Sequence, residues 1–244
     1  MEQEFASIRE IMEKIKDIKK LPSYEEAERL LHFLEDGSHS DYSRNRWLGF
    51  CKDQGLYNVY NTEFVDALAR EIKRLKDSPI VEICAGRGEL SYQLKKRGID
   101  IKPTDDYSGR LSKEGLVERL SHKRALEKYK PRVVLAAWIP HQVIRFDVLD
   151  YPTVRYFIDI GESTWMPCGI CDKWDRIYLE NLDEYSICRL DYIGGIYHSH
   201  VSLFSRKAPE ACFTRPNPAK AELRTARTHS PKNKSSFLSF ETNN

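Results

Sequence analysis

No apolar run in this chain is long enough to cross a bilayer as a helix. The longest uninterrupted one, Val133 to Ile139, falls far below the roughly 18 residues a span requires. The N-terminal residues are charged throughout and lack the apolar stretch of a secretory signal, so no membrane association and a cytoplasmic location are expected. Cysteine is sparse, six in 244 residues, and in such a chain the thiols are expected to stay free rather than form a disulfide framework. An excess of one charge is also missing. With 39 Lys and Arg against 37 Asp and Glu, the chain lacks the strongly basic surface of a protein that wraps nucleic acid. What is present, 41% hydrophobic residues over this length, suffices for the core of one enzyme-sized domain.

The near-neutral total conceals an asymmetry. From Arg206 onward there are eight Lys or Arg and three Glu, a local +5, which leaves about −3 on the first 205 residues by subtraction from +2. Residues 208–244, with Pro216, Pro218, Pro231 and many Ser, Thr, Asn and Lys, show no apolar periodicity and read as a flexible basic tail. A nucleic-acid or partner-binding role for that tail is the less favoured reading.

At the other end, Phe5, Ile8, Ile11, Met12, Ile15 and Ile18 recur at helical steps, and Leu21-Pro22 stops them. Ser23 with Glu26 three residues on forms a capping-box pattern for a second helix over Tyr24 to Leu34. A third helix is predicted over about Tyr42 to Gln54 and a fourth from about Thr62 to Lys76. Residues 1–57 form a helical extension, and Tyr57, Tyr60 and Asn61 stand just before the fourth helix.

The central pattern is Pro79-Ile-Val-Glu-Ile-Cys-Ala-Gly-Arg-Gly-Glu-Leu90. A short β-type run is followed by a turn with Gly86 and Gly88 and then by a helix over Leu90 to Lys96. The next strand, beginning near Ile99, ends at Asp105-Asp106, where a carboxylate can accept two hydroxyl hydrogen bonds from a ribose. The third glycine of a dinucleotide fingerprint is missing, since Ser91 stands in its place, so a pyrophosphate-bearing cofactor such as NAD is disfavoured.

Val81-Glu-Ile-Cys-Ala-Gly-Arg-Gly-Glu-Leu90, with Asp105-Asp106 downstream, resembles the first motif of the class I S-adenosylmethionine-dependent methyltransferases. The likeness spans residues 58–207. It implies a doubly wound, seven-stranded mixed α/β sheet that binds S-adenosyl-L-methionine. By this resemblance the donor would be held by Tyr60, Glu82, Ala85, Gly86, Arg87, Gly88, Leu90 and Asp105 or Asp106, with the helical extension covering it so that Tyr57 and Asn61 also lie near it. Ala136, Ala137 and Trp138 would border the methyl group.

Val133 to Pro140 is similar to the fourth motif of these enzymes, but it ends in Ala137-Trp-Ile-Pro140 instead of the Asp or Asn, Pro, Pro and aromatic of the amino-directed nucleic-acid enzymes. That departure argues against a base-amino methyltransferase of that type. A helix is predicted near Lys113 to Tyr129 and a strand over Arg155 to Ile160. Tyr185 to Tyr192 and His200 to Ser205, joined by Gly194-Gly195, resemble the antiparallel pair that closes the sheet. His141, Glu162 and Trp165 lie at strand ends on the ligand edge, and His141 and Glu162 are the candidates for contact with the acceptor. Cys168-Gly-Ile-Cys171 has no second close pair, so no metal site is assigned. Cys84 reads as a small buried residue. The resemblance implies methyl transfer to an unidentified acceptor, a small molecule, a protein or RNA. The alternative is a catalytically inactive binding or regulatory protein of the same fold.

Overall fold

The computed structural model describes residues 2–35, 45–108, 116–162, 172–191 and 199–207, without the side chains of Glu2 and Glu162. The expected tail, Trp165, the Cys168/Cys171 pair and Gly194-Gly195 lie outside the described residues. Met1–Lys207 forms one compact unit.

At its centre are β1 (Ile80–Ile83), β2 (Ile101–Asp105), β3 (Glu118–Arg119), β4 (Val133–Ala137), β5 (Tyr156–Glu162), β6 (Trp174–Tyr178) and β7 (Ser199–Arg206). They form one seven-stranded sheet in the order β3-β2-β1-β4-β5-β7-β6. Neighbours from β3 to β5 run parallel, and β7 is antiparallel to both β5 and β6. The chain winds outward from β1 through β2 to β3, then returns to the other side of β1 with β4. This reversal leaves a crevice at the carboxyl ends of β1 and β4, the usual ligand position in open α/β sheets.

Strand alternation assigns the sheet's two faces. Val133 and Leu135 of β4, with Ile158 and Ile160 of β5, pack with α4 (Thr62–Leu75), α5 (Glu89–Lys96) and α8 (Glu180–Asp183). Val134, Ala136 and Phe157 point the other way, toward α6 (His122–Tyr129) and α7 (Gln142–Asp150). Glu82 lies on the α4/α5 face, between Val81 and Ile83 of the opposite face. Helices α1 (Glu2–Lys16), α2 (Tyr24–Leu34) and α3 (Arg46–Gln54) build a separate core from Ile8, Ile11, Leu30 and Trp47 together with Ile187, Cys188 and Leu190. The capping box at Ser23 is formed: its hydroxyl accepts from the Glu26 amide at 3.1 Å, and the Ser23 amide donates to Glu26 at 2.9 Å.

Two expected elements are corrected. The stretch predicted as one helix to Tyr129 contains β3, which pairs with Thr104 and Asp105 at the sheet edge, and α6 begins only at His122 behind the Ser121 cap. The strand that closes the sheet with β7 is β6, not Tyr185 to Tyr192. Among the described residues the latter segment makes one isolated bridge, Asn58 to Cys188, because Ile187, Cys188 and Leu190 pack with the N-terminal helices instead of the sheet.

Candidate functional site

Past β1 the backbone turns through left-handed conformations at Cys84 (φ 54°), Gly86 (φ 52°) and Gly88 (φ 73°). Gly88 has a second reason to lack a side chain: a Cβ there would lie 2.5 Å from Val117 Cγ2. A Cβ on Gly86 would meet nothing within 4 Å, because that position opens onto the cleft. Cys84, expected to be buried, is half-buried and lines the same cleft.

The loop's own amides are largely used internally. Ala85 donates to Thr104 O at 3.0 Å, Gly88 to Ala85 O at 2.8 Å, and Gly86 to Asp105 Oδ2 at 2.9 Å. A phosphate cradle works by pointing free amides at the anion. Here three of the four amides from Ala85 to Gly88 already have partners.

A cleft of about 660 Å³ opens at the carboxyl ends of β1, β2 and β4. Glu82, Ala85, Gly86, Arg87 and Leu90 form one wall, Asp105 and Asp106 a second, and Ala137, Trp138 and His141 a third. Tyr57 and Tyr60 reach it from the segment before α4. Two further sequence candidates stand behind the walls. Gly88 caps α5, and Ala136 is fully buried on the α6/α7 face. Asn61 does not line the cleft. Its side chain caps α4 by accepting from the Phe64 amide at 2.9 Å and donates to Tyr185 O at 2.7 Å. Glu162 ends β5, but its side chain is outside the described residues.

Some lining residues were not expected. Glu89 belongs to the α5 first turn, and Leu120 and His122 enter because β3 delivers them beside β2. His122 Nε2 lies 2.8 Å from Asp147 Oδ2.

The acids divide the work. Asp105 accepts from the Gly86 amide through one oxygen and from the Tyr107 amide through the other, at 2.9 and 2.7 Å, so it braces the glycine turn. Asp106 Oδ1 accepts from the Ser108 amide at 2.8 Å, and its hydrogen bonds to Ser108 hold its carboxyl below the usual range. Glu82 is 2% exposed, and burial pushes its carboxyl up to about 7. The Ser91 hydroxyl, which donates to Glu82 Oε2, and the Ser91 amide pull it down; Asp105 pushes it up again. Ser91, in place of a third glycine, thus supports the floor carboxyl. Burial, with Glu82 and Glu89 nearby, holds the Tyr60 phenol well above its ordinary value.

Arg87 links this loop to the N-terminal helices. Its guanidinium donates to Lys16 O at 2.9 Å and Gln54 O at 3.3 Å, the carbonyls at the ends of α1 and α3. A cation at helix C-termini is favourable. Gln93 Nε2 to Ile18 O at 2.7 Å and Lys96 Nζ to Lys19 O at 3.3 Å continue the clamp along α5.

At the end of β4, Trp138 takes φ 53°, donates its amide to Ile160 O at 2.7 Å, and lies 3.7 to 3.9 Å from where Gly161 would carry a Cβ. Trp138 Nε1 donates to Asn58 Oδ1.

No family model matches the chain, and no curated protein matches it. Among solved structures it is similar to the methyltransferase domain of bacterial CtHen1-C, at 9% identity and a TM-score of 0.40, over 60% of this chain and 98% of that one. It is also similar to the 23S rRNA methyltransferase ErmE (15% identity, TM-score 0.35, 59% of this chain and 68% of that one). A third is magnesium protoporphyrin IX methyltransferase from Synechocystis PCC 6803 with bound SAM (11% identity, TM-score 0.36, 59% and 78%). At these scores the likenesses add no weight of their own; strand order and pairing carry the fold. The doubly wound sheet of seven strands, its antiparallel closing strand and the glycine turn at β1 give this chain the class I methyltransferase fold.

Proposed function

We propose that the chain is an S-adenosyl-L-methionine-dependent methyltransferase. The observation that carries this reading is the glycine turn, three of whose four amides are already satisfied, set over the buried carboxyl of Glu82 and facing Asp106. Such a turn suits a nucleoside without phosphate, and a desolvated carboxyl suits a cationic ligand. A pyrophosphate would meet a cleft bordered by Glu82, Glu89, Asp105 and Asp106.

In this reading Glu82 faces the donor's positive groups. Asp106 accepts from the ribose hydroxyls, while Asp105 keeps the turn in shape. Ala85, Gly86, Arg87 and Leu90 line the donor's path, Tyr60 closes it, and Ala137 and Trp138 border the transferred group. When bound, the donor supplies a methyl group already activated by a sulfonium charge. The protein's own contribution is to hold the acceptor in line with that methyl and to exclude water, which accounts for most of the rate without a strong base. His141 and Glu162 remain the candidates for receiving the acceptor's proton.

Calorimetric titration with S-adenosylmethionine, S-adenosylhomocysteine and NAD in parallel tests the reading. Binding of the first two without NAD is expected. Binding of NAD instead, or of none, would overturn it. Donor binding without turnover on a broad acceptor set would favour the inactive binding protein.

A further inference from the structure

The two ends of the cleft differ in kind. Its β1/β2 end carries Glu82, Glu89, Asp105 and Asp106 with Arg87. Its β4/α7 end is lined by Tyr57, Trp138, Pro140, His141, Val143 and Ile144 and, among the described residues, by no Asp, Glu, Lys or Arg. Two large apolar side chains that the fold leaves exposed, Tyr57 at 39% and Val143 at 62%, stand at this end. An exposed apolar residue alone means little, but two converging on one cleft form a seat.

The aromatic part of that seat is fixed in place. The Tyr57 and Trp138 rings have centroids 5.7 Å apart at a 37° tilt. The Arg189 guanidinium lies 3.9 Å from the Tyr57 centroid and 5.6 Å from that of Trp138. Arg189 does not itself line the cleft and stacks on the rings from outside the lining. The indole is anchored to Asn58, which in turn donates to Ser199 Oγ at 3.3 Å. Rings held this way lose little freedom when a flat molecule stacks on them.

We infer that this end seats an uncharged, flat aromatic acceptor carrying a phenolic hydroxyl or an aromatic amine. The inference rests on the methyl-donor reading, which makes this the acceptor end. A carboxylate or phosphate placed here would lose its water without a cation among the described lining residues, and a polynucleotide would approach a cleft rich in carboxylates. In the reaction, a lone pair on the acceptor's oxygen or nitrogen bonds to the methyl carbon. The carbon–sulfur bond breaks with its electrons staying on sulfur, and the acceptor's proton passes to His141 or to water.

The test uses 2-naphthol, its anionic counterpart 2-naphthoate, and a ten-nucleotide RNA, titrated at pH 7 into the full chain saturated with S-adenosylhomocysteine. Expected is 2-naphthol binding at least about tenfold tighter than 2-naphthoate or RNA, weakened about tenfold in Tyr57→Ala and restored in Tyr57→Phe. A parent-like far-UV circular dichroism spectrum and a cooperative thermal transition show that the Tyr57→Ala protein is folded. Equal or tighter binding of 2-naphthoate or RNA overturns the inference, as does 2-naphthol binding indifferent to Tyr57. If S-adenosylhomocysteine fails to bind, the donor reading falls. The same three titrations without it then decide the seat separately, a preference for 2-naphthol supporting it and none overturning it.

Discussion

Glu82 makes donor binding dependent on pH in a way that can be calculated. Its carboxyl is pushed from the ordinary 4.5 up to about 7, which corresponds to about 3 kcal/mol of unfavourable ionisation in the ligand-free fold. Because the folded value is raised, this cost is absent below about pH 4.5, grows between there and about pH 7, and is constant above. A cation placed against Glu82 selects the ionised form. At pH 7.5 about three quarters of the free protein is already ionised there, and at pH 5.5 only about 3%. The affinity for S-adenosylmethionine is therefore expected to fall about 25-fold between these values, with about one proton released on binding at the lower pH. Staying at or below pH 7.5 keeps the ligand's own α-amino group mostly charged. Glu82→Gln should bind more weakly at pH 7.5 but with a much flatter profile, which assigns the slope to Glu82. The same variant should be more stable than the parent at pH 8 and equal to it near pH 4.5. Calorimetry in buffers of different ionisation enthalpy reads both affinity and proton release. A flat profile in the parent, or an undiminished slope in Glu82→Gln, would refute the placement of the donor's charge.

Asp106→Ala is expected to weaken donor affinity by about 10- to 100-fold with little change in thermal midpoint, because it removes hydroxyl acceptors exposed in the cleft. Asp105→Ala should weaken affinity and also cost about 2 kcal/mol of stability in urea unfolding, since the Gly86 and Tyr107 amides lose their acceptor. Arg87→Ala releases the carbonyls of Lys16 and Gln54. It is expected to cost about 1 to 2 kcal/mol and to speed amide exchange over residues 17–20. Away from the cleft, Arg145→Ala strands the buried Asp159, whose carboxylate Arg145 Nε meets at 2.5 Å. A loss of about 3 to 5 kcal/mol in urea unfolding is expected, largely recovered by adding Asp159→Asn.

The parts of this architecture that were legible in the sequence are those fixed by local chemistry. Gly86 and Gly88 announce left-handed turns, and Ser23 with Glu26 announces a helix start. Phe64, Val65, Leu68 and Ile72 trace the buried stripe of α4. What was not legible depends on pairing at a distance. β6 escaped because, as the sheet's edge strand, it leaves Ile177 and Tyr178 exposed at 52% and 46% and lacks a buried alternation. Residues 185–191 carry strand-like side chains, but Ile187 and Leu190 are buried against the N-terminal helices. His122 reaches the cleft only because β3 lies beside β2. The division of labour between Asp105 and Asp106 was likewise hidden. Adjacent acids look alike in sequence, and only the folded turn shows that Gly86 occupies one of them.

The most direct test of the account is a crystal structure of the protein with S-adenosylhomocysteine. The account predicts the ribose hydroxyls on Asp106, the amino group on the Glu82 side, and the sulfur beside Ala137 and Trp138, pointing toward Tyr57 and His141. A nucleoside bound elsewhere, or bound in this cleft with Asp106 untouched and its sulfur turned away from the end of β4, would contradict it.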